Sequence, residues 1–263
     1  MSDPRLPPEL ERFIFTDALR NHFQDPTDLF LVAKRVREWL IPLAFEVVLI
    51  HRLRSFPIQF NTLSDFEAYG PHIRHLLVSR LWSDISRNLD ERLAKCPNIT
   101  NLALWWASPP IRISSIMNLS SLTQLSIDTN YLLKEALATT EVPMFSNITH
   151  LDTMGTHAAE KIEEDFTLMA LHFPALTHIA FLWGLALFKC VLQQFKSLKA
   201  LVSWRTGELG IDKGRRSPVD DDRVVMIFLA RIGDWENAAR GKGPGMWDFV
   251  DEVLRKRAEE KAK

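Results

Sequence analysis

Eight histidines, two cysteines and a spread of carboxylates are the residues from which this chain could build a metal centre or an acid–base pair. Their spacing argues against both. His150 and His178 share one slot of a recurring pattern with Asn101, Gln124 and Ala200, which makes them variable strand positions before they are metal ligands. No H-E-x-x-H occurs, and Cys96 and Cys190 form neither a ligand cluster nor a disulfide framework. G-x-S-x-G and the phosphate-cradling G-x-x-x-x-G-K-[ST] are both missing, and Gly241-Lys-Gly-Pro-Gly245 does not carry a strand into a βαβ crossover. A nucleophile, base and stabiliser that converge cannot be assembled from these residues, so the expectation is a non-catalytic chain with no cofactor and no metal. A small basic group, Lys213, Arg215 and Arg216 beside Ser217-Pro218, fits a solvated loop, a contact for an acidic partner or an acceptor of a phosphate.

The elements that position these residues follow from a pattern that returns through the middle of the chain. Its copies are Cys96-Pro-Asn-Ile99-Thr-Asn-Leu102-Ala-Leu104, Leu119-Ser-Ser-Leu122-Thr-Gln-Leu125-Ser-Ile127, Phe145-Ser-Asn-Ile148-Thr-His-Leu151-Asp-Thr153, Phe173-Pro-Ala-Leu176-Thr-His-Ile179-Ala-Phe181 and Phe195-Lys-Ser-Leu198-Lys-Ala-Leu201-Val-Ser203. A weaker copy, Gly70-Pro-His-Ile73-Arg-His-Leu76-Leu-Val78, precedes them, and the anchor residue falls at 73, 99, 122, 148, 176 and 198. Alternation at the end of each copy puts two apolar side chains on one face of a short strand and turns the residue between them outward. Helical returns are expected between strands, at Ile85 to Ala94 and at Glu163 to His172, with Phe166, Met169 and Ala170 on one side.

Steps of 22 to 28 residues, and the run Leu122-Thr-Gln-Leu125-Ser-Ile127-Asp-Thr-Asn130, resemble leucine-rich repeats and their L-x-x-L-x-L-x-x-N frame. That resemblance implies an α/β fold, a solenoid with a curved parallel sheet and helical returns over residues 51–206, because one repeat cannot bury its apolar face alone. It also implies a concave face lined by the outward strand positions. Those expected to meet a protein substrate are Asn101, Trp105, Gln124, Ser126, Asp128, His150, Asp152, His178, Leu182 and Trp204. Tryptophan on such a face is a favoured interface anchor, but Trp105, Trp106, Trp183 and Trp204 could equally turn into the convex packing or meet a cap. The sequons at Asn98, Asn118 and Asn147 occupy one stretch of the repeat frame, which explains them better than glycosylation does.

Residues 1–50 do not follow the repeat. Leu6-Pro7-Pro8-Glu9-Leu10, then Ile14-Phe15, then Asp25-Pro26-Thr27-Asp28-Leu29 leading into Val32 and Trp39 resemble an F-box, with its L-P-x-E-L start and D-P-x-D-L turn. Proline in a first turn and Asp25 before Pro26 are helix-start signals in their own right, and Leu29, Val32, Ala33, Val36 and Leu40 share one helical stripe. An F-box followed by irregular leucine-rich repeats is similar to a large fungal family of F-box/leucine-rich-repeat proteins. The resemblance implies a small all-helical domain that docks on the Skp-type adaptor of a cullin-based ubiquitin ligase, through Leu6, Pro7, Glu9, Leu10, Ile14, Leu29 and Val32. Two departures stand out: Arg20 to Gln24 lengthens the first inter-helix turn, and the tryptophan usual near Phe45 is missing. The alternative is that residues 6–50 only cap a stand-alone repeat scaffold.

After the repeats, residues 207–263 read as a polar loop, a buried strand at Arg223–Ala230, a short helix from Asp234 to Arg240, and an amphipathic helix from Met246 to Ala262 with Trp247, Val250, Val253 and Leu254 inward. Thirty-two basic residues against 33 acidic ones leave a net charge of -1 and no field to draw nucleic acid or anionic lipid. The apolar stretches Trp39–Ile50 and Ile179–Leu192 are too short to span a membrane and carry Glu46 and Lys189. With so few cysteines and no apolar leader, the expected location is cytoplasmic or nuclear.

Overall fold

The structure is a computed structural model and describes residues 6–21, 27–51, 54–56, 62–79, 88–105, 111–128, 132, 143–153, 162–182, 188–212, 217, 219–229 and 232–263. It is α/β, with a mostly parallel sheet and helices between strands. Compactness divides the chain into residues 1–99 with 107–119, and residues 100–106 with 120–263.

In the first unit, helices α1 (Pro8–Asn21) and α2 (Thr27–Val32) both pack on α3 (Lys34–Ala44). The single stripe expected through Leu29, Val32, Val36 and Leu40 is broken, because Ala33 takes an extended backbone (φ -162°, ψ 153°) between α2 and α3. Val36 and Leu40 point inward with Ala44, whereas Val32 is exposed. Arg35 grips Glu11 with two hydrogen bonds of 2.9 Å and so ties α3 to α1. Strand β1 (Val47–His51) follows, paired antiparallel with β2 (Arg54–Phe56) and parallel with β3 (His75–Ser79), Val48 opposite Leu76. The segment Trp39–Ile50 is therefore part helix and part strand.

Helix α4 (Leu63–Tyr69) opens on a capping box in which Thr62 Oγ1 accepts from the Asp65 amide and the Thr62 amide donates to Asp65 Oδ2. It ends at Gly70, where a Cβ would meet the Lys95 carbonyl oxygen at 2.3 Å. Gly70→Ala should therefore destabilise the protein by about 1–3 kcal/mol, since the obstacle is backbone rather than a movable side chain. A urea midpoint equal to wild type would contradict that packing. Short returns α5 (Leu89–Leu93) and α6 (Ile113–Met117) complete the unit.

The second unit carries strands β4 (Asn101–Trp105), β5 (Gln124–Ile127), β6 (His150–Thr153), β7 (His178–Leu182), β8 (Ala200–Thr206) and β10 (Val224–Leu229) side by side and parallel, with β9 (Gly210–Ile211) antiparallel at the end. Equivalent positions of the sequence repeat face one another in register: Leu102, Leu125, Leu151, Ile179 and Leu201 in turn, then Val224. The recurring threonine has a matching role. Thr123, Thr149 and Thr177 each donate a hydroxyl hydrogen to the backbone carbonyl of Thr100, Thr123 and Thr149 respectively, at 3.2–3.3 Å, beside the amide bonds that join the same turns. Asn147 of one sequon donates to Ser120 O at 3.0 Å, and in the first unit Asn98 donates to Pro71 O at 2.7 Å. Helices α7 (Ile162–His172) and α8 (Phe188–Gln194) return the chain between strands, with Phe166, Met169, Phe188 and Val191 buried. Two more helices, α9 (Ile232–Ala239) and α10 (Met246–Lys261), follow β10. Among the described residues no helix is long and apolar enough to cross a membrane.

Candidate functional site

Two surfaces hold the residues singled out from the sequence. The first is on α1 and α2. Leu10, Phe13 and Ile14 fall at i, i+3 and i+4, and Leu19 takes the opposite side into the core. The outer residues stay open to solvent: Leu10 is 50% exposed, Phe13 69% and Ile14 48%. Leu6 before the helix is half out, Pro7 and Glu9 are exposed, and on α2 Leu31 reaches 78% and Val32 57%. Leu29 is the exception, partly buried. Phe13 and Leu31 went unnoticed in the sequence, although Phe13 completes the helical spacing begun at Leu10. Both helices thus leave large apolar side chains open to solvent. Asp25 and Pro26 of the inter-helix turn lie outside the described residues.

The second surface is the face of the β4–β10 sheet expected to be concave. It is built around a buried polar chain. Trp105 Nε1 donates to Ser126 Oγ at 2.6 Å, Ser126 Oγ donates to Asp152 Oδ2 at 2.6 Å, and Trp204 Nε1 donates to Asp152 Oδ1 at 3.0 Å. Both carboxylate oxygens of a nearly inaccessible aspartate are thereby satisfied, as a buried charge requires. One row along, the imidazoles of His150 and His178 stack with centroids 4.3 Å apart. Each Nδ1 lies 2.8 Å from the hydroxyl of the preceding threonine, Thr149 for His150 and Thr177 for His178.

Of the orientations open to the tryptophans, Trp105 and Trp204 take the one that meets the C-terminal helices, and they are only 2% and 1% exposed. This face is covered rather than open. Trp235 of α9 packs edge-on to Trp105, with centroids 6.5 Å apart, and donates to Asn101 Oδ1 at 3.3 Å. Trp247 of α10 packs on both histidine rings, and Asp251 Oδ1 sits 2.9 Å from His178 Nε2. Val250 is fully buried in a cluster with Ala180, Ala200, Val202, Trp204, Val225, Ile227 and Leu229, flanked by Leu182, Trp247, Val253 and Leu254. Ser126, Asp152 and His178 are buried, and Asn101, Gln124, Asp128, His150 and Leu182 are half-buried. Trp106, Trp183, Lys213, Arg215, Arg216 and Pro218 lie outside the described residues.

Burial first, then the neighbouring His178, pushes the His150 pKa down to about 4, while Asp251 and Asp248 pull the other way. Because the folded-state value is depressed, the stability that neutral His150 contributes is complete above its ordinary value and is lost as pH falls toward about 4. Between pH 7 and 4.5 this loss should be on the order of 2 kcal/mol after allowance for the ring's partial exposure. His150→Gln should flatten that limb of the urea-midpoint profile. An equally steep acid limb in the variant would assign it to other groups.

Elsewhere, burial pushes the Cys96 thiol up to about 12, which makes it an inert core side chain. Among the described residues no group of three or more His, Cys, Asp or Glu is placed to hold a metal ion. No protein-family model matches the chain, and no curated protein matches it.

Proposed function

We propose that this chain is a non-catalytic adaptor, the substrate receptor of a cullin-based ubiquitin ligase, in which the α1–α2 surface binds the Skp-type adaptor and a leucine-rich-repeat sheet face receives a protein substrate. The observation that carries this reading is the exposure of Leu6, Leu10, Phe13 and Ile14 with Leu31 and Val32, on helices whose other sides pack inward. A helical region serving only as a cap has no need to leave six large apolar side chains in water. The leucine-rich-repeat reading draws on the in-register leucines and on the threonine bonds that recur from strand to strand.

A stand-alone repeat scaffold is the second reading, and it draws on α1–α3 sharing one compact unit with β1–β3. The two separate in a binding assay. Full-length chain mixed with purified Skp-type adaptor should elute as a 1:1 complex in size exclusion and recruit the cullin. Separate elution at micromolar concentration would leave the scaffold. Deleting residues 1–50 is a poor control, because it removes most of β1, so surface substitutions on α1 and α2 serve instead.

A further inference from the structure

Helix α10 shows what chemistry the sheet face accepts. Its contacts come from Met246, Trp247, Phe249, Val250, Val253 and Leu254, at i, i+1, i+3, i+4, i+7 and i+8, and the carboxylate of Asp251 follows the buried valine and reaches His178. The opposite side of the helix carries the ion pairs of Arg255 with Glu252 and Glu259 and of Lys256 with Glu252. Beneath it, Ala180 and Ala200 leave a shallow floor between Trp204 and the stacked histidines, which lets a helix approach the strands closely.

The mode of attachment differs from that of every strand in the sheet. Strands β4 to β10 are joined by backbone ladders, whereas the hydrogen bonds that fasten α10 to the sheet and its loops come from side chains: Asp251 with His178, Arg257 to the carbonyls of Asp222 and Val224, and Lys261 to Asp222. Val250 alone in α10 is fully buried. A glycine-containing turn, with Gly241 at φ 65°, leads into the helix. Removing α10 therefore breaks no strand pairing.

We infer that this face is a helix-binding site whose resident occupant is the chain's own α10, and that its protein partner presents an amphipathic helix of the same signature: an aromatic residue, aliphatic residues three, six and seven positions later, and a carboxylate beside the first aliphatic. This rests on the substrate-receptor reading and names the class of substrate. Partner and α10 compete, so the occupied face is a self-inhibited state.

The test uses the full-length chain. Native-state hydrogen exchange should show α10 amides opening at least tenfold more readily than those of β7 and β8. A fluorescein-labelled peptide of residues 244–263 should bind the full-length Asp251→Asn variant at least tenfold tighter than wild type, because the resident helix is loosened; a peptide carrying Trp247→Ala should bind neither. Asp251 is solvent-exposed on its own helix, so the variant keeps the fold. If α10 amides exchange only together with β7 and β8 and the peptide binds neither chain, α10 is a permanent part of the core and the inference falls. Adaptor binding by the same samples is scored in parallel. It survives if only this inference fails, and its loss leaves the exchange result readable.

Discussion

Leu10→Asp should lower affinity for the proposed partner, the Skp-type adaptor, by more than about a hundredfold, the effect of placing an unpaired charge in the centre of the proposed apolar interface. The side chain is half exposed on α1 and touches the core on one side only, so the thermal midpoint should stay within about 2 °C of wild type. Leu31→Asp on α2 should act in the same direction with even less effect on folding, because Leu31 is 78% exposed. Isothermal titration against the adaptor, with melting curves on the same preparations, separates the outcomes. Retained binding in both variants would remove these helices from the interface. Loss of binding accompanied by a collapse of the melting curve would mean that Leu10 packs inward.

The largest loss of stability is expected at the buried polar chain. Trp204→Ala removes one of the largest fully buried side chains and should cost about 3–5 kcal/mol. Asp152→Ala should cost about 2–3 kcal/mol, because it leaves the Trp204 Nε1–H and the Ser126 hydroxyl without their acceptor. The two variants share one hydrogen bond, so the double variant should fall short of the sum. Urea denaturation of the three proteins measures this. Strict additivity would show that Trp204 and Asp152 act separately and that the 3.0 Å bond contributes nothing.

The repeat pattern made the strands legible. Its anchors Ile73, Ile99, Leu122, Ile148, Leu176 and Leu198 are all buried, and the position three residues on begins the apolar face of β3 to β8. Strand β1 escaped notice because Val47-Val-Leu-Ile50 is a short continuous apolar run, which periodicity cannot tell from buried helix. The interruption at Ala33 was equally hidden, since alanine carries no signal for leaving a helix. The inward side of α10 was readable from Trp247, Val250, Val253 and Leu254. Its destination was not, because a stripe records that a helix packs and not on what. Ala180, Ala200 and Val202 were the available hint: small and apolar outward residues suit a covered face better than an open one. On α1, Leu10 and Ile14 were legible through a resemblance, whereas Phe13 needed only the helical period.

Hydrogen exchange of the full-length chain with and without a saturating Skp-type adaptor tests the proposed docking surface most directly. Slowed exchange in the peptides covering residues 6–32, with β4 to β8 unchanged, is the expected result. Unchanged exchange over residues 6–32 at saturating adaptor, or protection confined to the sheet, would contradict it.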